Sequence, residues 1–184
     1  ATCQKYDLRL FIDGARLGYG LVSAACDYDL PFLAKHCDVF YIGGTKVGAM
    51  MGEAVVFSGM KAPKYFFTNI KRHGALLAKG RMLGIQFDTL FTDNLYFKIS
   101  RHAIAMATRI RSIFQKHGIA IAYDSPTNQQ FVVLSPSLYD ALSKKVAFEI
   151  WERKSDTEII CRFVTSWATK VEELDELEHI LQTL

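Results

Sequence analysis

Twice in the first fifty residues a helix-like stretch runs directly into a short β-branched and aromatic stretch that closes on glycine: ATCQKYD into LRLFIDG, then LPFLAKH into CDVFYIGG. No other pattern in the chain restricts the fold as much. Strands separated by helical segments imply right-handed crossovers and a parallel sheet. GEAVVFSG, bounded by glycines, adds a third short strand. The fold class expected from residues 1–62 is therefore α/β, with LRLFID as a buried strand.

After Pro63 the pattern changes. KYFFTNIKRHGALLAKGRMLGIQFDTLF and NLYFKISRHAIAMATRIRSIFQKHG read as long helices, the second stopped by Gly118. The strands IAIAY, QFVVL, AFEIWE and TEIICRFVTSW then alternate with turn clusters, the helix SLYDALSKKV and the closing helix KVEELDELEHILQTL. Three regions result: 1–62 as part of a larger α/β domain, 63–98 as a connecting helical region, and 99–184 as a smaller α+β lobe.

Composition excludes several classes of function. Half of the 184 residues are hydrophobic, enough to bury a core. The net charge is only +3, and no basic tract is interleaved with aromatics, so nucleic acid is not an expected partner. No apolar run is long enough to cross a bilayer, and Cys3, Cys26, Cys37 and Cys161 have neither disulfide-framework nor metal-site spacing. A reducing cytoplasm is the expected setting. The five histidines show no metal-ligand spacing, and no metal is expected.

Two residues stand out against that background. Asp13 ends the first strand and is followed by GARLG, which places its carboxylate at the carboxyl edge of the sheet, where α/β proteins bind ligands. The alternative is a helix N-cap aspartate. Lys46 lies one helix and one strand later, just past the next strand end, among Gly43, Gly44, Thr45, Val47, Gly48 and Ala49, small residues that let another body approach closely. The two side chains can converge on one cleft. Such a pair suits pyridoxal 5'-phosphate, which needs a lysine amine for its Schiff base and a carboxylate against the ring nitrogen. The small apolar neighbours are expected to keep Lys46 partly desolvated. A surface lysine and an anion-binding lysine are the plainer alternatives.

LFIDGARLGYGL followed by YIGGTKVGAMMGEAVVF resembles the threonine aldolase and β-eliminating lyase family of fold-type I pyridoxal-phosphate enzymes. The likeness continues through KRHGALLAKGRMLGIQF to CRFVTSWATKVEELDEL. The resemblance implies the C-terminal portion of a fold-type I transferase-like fold, a parallel-sheet segment of the large domain followed by a small α+β lobe. It implies that Lys46 holds the cofactor, that Asp13 pairs with the pyridine nitrogen, and that Arg16 and Arg162 bind the substrate carboxylate. Thr45 stands where the family usually has serine, and it keeps a hydroxyl for the cofactor phosphate. Arg16 follows Asp13 by three residues, so both would project from one first helical turn. A surface ion pair is the alternative for Arg16 and a structural salt bridge for Arg162. Lys71, Arg72, Lys79 and Arg81 read as a solvated helix face, Phe40 and Tyr41 as core, and Met50 and Met51 as packing.

The resulting reading is an amino-acid lyase, with aldol cleavage of threonine to glycine and acetaldehyde as its reaction. A β-eliminating lyase or an aminotransferase keeps the same cofactor set, and a non-catalytic lobe or interface module is the third possibility. The opening strand belongs inside a parallel sheet. A missing N-terminal half is therefore expected to supply the phosphate-binding helix N-terminus and the residue stacking on the ring. The chain is expected to work beside that half, in a homo-oligomer, dimer or tetramer, and not to bind the cofactor tightly alone.

Overall fold

The computed structural model describes residues 2–184. They divide into two compact units, one of residues up to Leu21 with Cys26–Lys98, the other of Val22–Ala25 with Ile99–Leu184.

In the first unit, a helical turn α1 (Thr2–Lys5) precedes β1 (Phe11–Ile12), and α2 (Leu17–Leu21) and α3 (Leu30–His36) lead to β2 (Val39–Ile42). Asp29 starts α3 by accepting from the Phe32 N–H at 2.9 Å, and a proline occupies the first turn, where its missing N–H is not needed. β1 pairs with β2 in parallel, as the helix between them requires. β3 (Ala54–Phe57) pairs with the other side of β2 but runs antiparallel, which corrects the expectation of an all-parallel set. The connection Gly43–Glu53 is too short for a helical crossover, and Gly48 and Gly52, at φ +95° and +86°, let it double back. The first strand also differs from its sequence reading. It contains two residues at the sheet edge, and Phe11 is 58% exposed.

The region after Pro63 contains two helices, α4 (Phe66–Arg72) and α5 (Arg81–Phe91), where the sequence reads as one. Gly74, at φ +72°, ends the first in a left-handed conformation that continues no helix, its N–H bonding to the Lys71 carbonyl at 3.0 Å. A 3-10 turn at Thr92–Asn94, with Asp93 and Asn94 both at positive φ, then enters α6 (Leu95–Lys116). The division between the units falls inside α6.

The second unit is a four-stranded antiparallel sheet, ordered β4 (Ile121–Tyr123), β5 (Gln129–Leu134), β7 (Ile159–Val164), β6 (Glu149–Arg153), with α7 (Pro136–Leu142) and α8 (Val171–Gln182). Gly118, at φ +72°, stops α6, and Ser135 caps α7 by accepting from the Leu138 N–H at 3.2 Å. Period-two alternation turns Val132 and Leu134 of β5, and Cys161 and Phe163 of β7, into a core completed by Ile110, Phe114, Leu142, Leu174 and Leu177. Phe163 sits between two rings, Phe114 at 4.7 Å and Phe148 at 4.6 Å between centroids. Phe114 is fully buried. Phe114→Ala should cost about 3–5 kcal/mol of stability, read as a lower urea midpoint at unchanged slope.

Candidate functional site

The parallel register pairs Phe11 with Val39 and Ile12 with Phe40, so Asp13, just past the end of β1, comes beside Tyr41 of β2 at the carboxyl edge of the pair. Phe40 and Ile42 are buried while Tyr41 is on the opposite face, half-buried. Its hydroxyl donates to the Asp13 carboxylate, which also accepts the Ala15 N–H at 3.0 Å. Tyr41 is thus not a core residue but the partner of Asp13. Asp13 in turn is not an N-cap: it closes a local turn two residues long, and α2 begins only at Leu17. The Tyr41 hydroxyl, then the Ala15 N–H, hold the Asp13 carboxyl below the usual carboxylate range, against a smaller effect of burial, with the positive charge of Lys46 adding in the same direction. The reciprocal effect raises the Tyr41 phenol.

Lys46 lies in a tight turn. The Val47 and Ala49 N–H groups both bond to the Gly44 carbonyl, at 2.9 and 3.0 Å, and the Tyr19 hydroxyl donates to the Lys46 carbonyl. Val47 is fully buried and anchors the turn, which leaves Thr45 and Lys46 pointing outward and exposed. The expected desolvation of Lys46 is not found, because its small neighbours are occupied elsewhere. A Cβ on Gly14 would lie 1.7 Å from the Tyr41 carbonyl oxygen, and one on Gly43 would lie 2.4 Å from that of Ala15. These glycines let two strand ends touch each other, not a ligand.

The contact is fastened by a residue that sequence reasoning passed over. Tyr96, fully buried, accepts the Gly18 N–H and donates to the Gly43 carbonyl, both at 3.0 Å, and burial raises its phenol far above the ordinary value. Glu53 is a second such residue. Its carboxylate takes the Gly44 N–H at 2.5 Å and the Thr45 hydroxyl at 2.9 Å, so Thr45 is bonded within its own loop. Strand alternation in VFYI could have separated Tyr41 from the core, but no local signal marks Tyr96 or Glu53. Arg16 is half-buried, and a Leu17 N–H to Gly14 carbonyl bond of 2.9 Å makes a turn before α2. Asp13 and Arg16 therefore do not share a first helical turn.

In the second unit, Arg162 on β7 stands opposite Glu149 of β6 and forms an ion pair with it. Its guanidinium also donates to Gln129 Oε1 at 3.0 Å and lies 5.3 Å from the Trp151 ring centre. The structure thus brings Asp13 and Lys46 within electrostatic reach at one sheet edge and gives Thr45 and Arg162 intramolecular partners. Tyr41→Phe should raise the Asp13 pKa toward that of an ordinary aspartate, measured by carboxyl carbon NMR titration. Because Asp13 is depressed in the folded state, its contribution to stability is present above the unfolded aspartate pKa and lost as pH falls through the lowered one, and the variant should lose part of it.

No family model matches the chain. Two curated relatives are low specificity L-threonine aldolases, from Pseudomonas aeruginosa and from a Pseudomonas strain, 27% and 28% identical over 179 residues, or 96% of this chain and 51% of each relative. The chain therefore spans about half the length of the curated relatives it matches. Among solved structures, a threonine aldolase from Leishmania major superposes with a TM-score of 0.94 at 37% identity, covering 99% of this chain and 53% of that one. The serine palmitoyltransferase of Sphingomonas wittichii superposes at 0.66 with 12% identity, covering 98% and 48%, a likeness of fold alone. Along almost its whole length the chain is similar to about half of a threonine aldolase, and its fold is that of the fold-type I pyridoxal-phosphate enzymes.

Proposed function

We propose that this chain supplies the lysine, the ring-side carboxylate and the substrate-carboxylate arginines of a pyridoxal 5'-phosphate-dependent lyase of the threonine aldolase type. Its reaction is aldol cleavage of a β-hydroxy amino acid, threonine to glycine plus acetaldehyde. One observation carries the reading: an exposed lysine amine, Lys46, beside a carboxylate held ionised, Asp13, at the carboxyl edge of a parallel strand pair.

The residues fit the cofactor. An exposed amine is open to an aldehyde, and a carboxylate kept charged by two hydrogen bonds is what a protonated pyridine nitrogen requires opposite it. When bound, the cofactor supplies an electron sink for the substrate carbon. Asp13, held in place by Tyr41, keeps a fixed negative charge for the ring nitrogen. Lys46 binds at the cofactor aldehyde. Arg16 and Arg162 are each taken as a substrate-carboxylate arginine, since a guanidinium can take a carboxylate with two parallel bonds and so orient the bond to be broken. Thr45 contacts the cofactor phosphate once its hydroxyl leaves Glu53.

The reading extends to a cytoplasmic homo-oligomer, dimer or tetramer, acting on small amino acids, with the remaining half of the relatives' length as this chain's partner. Exposed apolar side chains in the first unit support assembly, since Met50 is 88% and Phe67 65% exposed. No helix among the described residues is long and apolar enough to cross a membrane.

Borohydride reduction with pyridoxal phosphate, followed by peptide mapping, should label Lys46. A label on Lys71 or Lys79 instead would overturn the assignment. In the full-length protein, Asp13→Asn should keep the cofactor but lose threonine cleavage by about two orders of magnitude, each ~1.4 kcal/mol being tenfold in rate. Release of ammonia in place of glycine would favour β-elimination.

A further inference from the structure

Arg162 is bonded unevenly. Its two terminal nitrogens are engaged, one by Gln129 and one by Glu149, while its Nε is buried with no hydrogen-bond partner. The two partners differ in kind. Gln129 is a diagonal neighbour of Arg162 on the β5–β7 ladder, two residues from Phe131 that stands opposite it, and the Arg162 side chain, with the Trp151 ring beside it, is only 19% exposed. Glu149 is 66% exposed and holds the guanidinium from β6 at a single nitrogen. Arg162 is therefore fixed from within the sheet, and Glu149 is the member that can swing away. An incoming carboxylate with two free oxygens can take the Nε and terminal nitrogen edge together, satisfying the orphaned Nε–H that Glu149 leaves unpaired.

We infer that Glu149 is a positioning residue that competes with the substrate carboxylate for Arg162 and so sets the affinity of the site for carboxylate ligands. This rests on the reading of Arg162 as the carboxylate-binding arginine. Every productive binding event exchanges the Glu149 ion pair for a ligand ion pair. Part of the attraction that Arg162 exerts is offset in advance, and carboxylates able to make only one contact gain nothing over Glu149. The bidentate α-carboxylate of an amino acid is favoured over singly bonding anions. Since Glu149 has already left Arg162 when substrate is bound, its removal affects binding and not the chemical step.

The test uses the full-length enzyme with cofactor. Glu149→Gln keeps the side chain's shape and removes its charge. It should lower KM for threonine, and the calorimetric Kd for glycine, by about two- to fivefold, the range an exposed ion pair supports, with kcat little changed. In an Arg162→Ala background the same substitution should change neither constant. An unchanged or raised KM in Glu149→Gln would overturn the inference, as would an equal fall in KM without Arg162. If Arg162→Ala alone leaves KM and the glycine Kd unaltered, the carboxylate role of Arg162 fails and the inference falls with it. If Arg162→Ala weakens binding and Glu149→Gln does not strengthen it, only the inference fails.

Discussion

The first unit depends on a backbone contact. The Gly43 N–H reaches the Gly14 carbonyl at 2.9 Å, and a side-chain carbon at either residue would collide with backbone across the gap. That approach extends the parallel pairing of β1 and β2 beyond their last ladder residues. It is what brings the turn carrying Asp13 beside the turn carrying Lys46. Tyr96 fastens the contact from 53 positions further along the chain, bonding the Gly18 N–H on one side and the Gly43 carbonyl on the other. A buried phenol with both bonds satisfied is strongly favoured over one with either bond lost, so the first turn of α6 and the two loop turns are ordered together.

The second unit obeys a simpler constraint. Alternation along β5 and β7 sends one set of side chains into a helix-covered core and leaves the other on the opposite face. Arg162 falls on that opposite face between two strands, where its charge is stabilised by neighbours one strand away on each side: Gln129 on β5, Glu149 and Trp151 on β6. The irregularity between Ile150 and Glu152 occurs at Trp151, the residue whose ring faces the guanidinium.

What the sequence revealed and what it hid divide along the same physical line. Period-two and period-3.6 patterns are local, and every strand and helix of the second unit falls on the stretch that its pattern marks, to within a residue at the ends of β5, β6 and α7, with Gly118 as the stop of α6. The antiparallel turn of β3 was missed because the length of the Gly43–Glu53 loop decided it, and strand composition was no guide. The break at Gly74 was missed because KRHGALL reads as helix until the glycine takes a left-handed φ. At the site, Asp13 and Lys46 were visible because strand ends carry them. Tyr41, Tyr96 and Glu149 were not, because each acts on a partner 13 or more positions away, and Glu53 was not because nothing in the sequence shows that its loop folds back onto Gly44 and Thr45. Small residues such as Gly43 signal close approach without saying by what, and here the approaching body is the Gly14–Ala15 backbone.

The polar candidate residues of each unit share one arrangement. Asp13 is bonded by Tyr41, Thr45 by Glu53, and Arg162 by Glu149 and Gln129. Asp13 and Thr45 are exposed and need no such partner in water, so their pairings act on geometry more than on stability, whereas the largely covered Arg162 also has its charge stabilised by its partners. Each restricts a side chain that would otherwise sample several rotamers, and each has a different relation to a ligand. Tyr41 donates to one oxygen of Asp13, and a carboxylate has acceptor sites to spare, so a cationic ring nitrogen can be added without removing Tyr41. Glu53 and Glu149 use the donors that the proposed roles would give to a phosphate and a substrate carboxylate, so in that reading those bonds would have to be exchanged. Under the proposed roles, the Asp13–Tyr41 pair would meet its ligand with no bond to give up, whereas Thr45 and Arg162 would take an anion only as that ligand outbids a glutamate, Glu53 or Glu149.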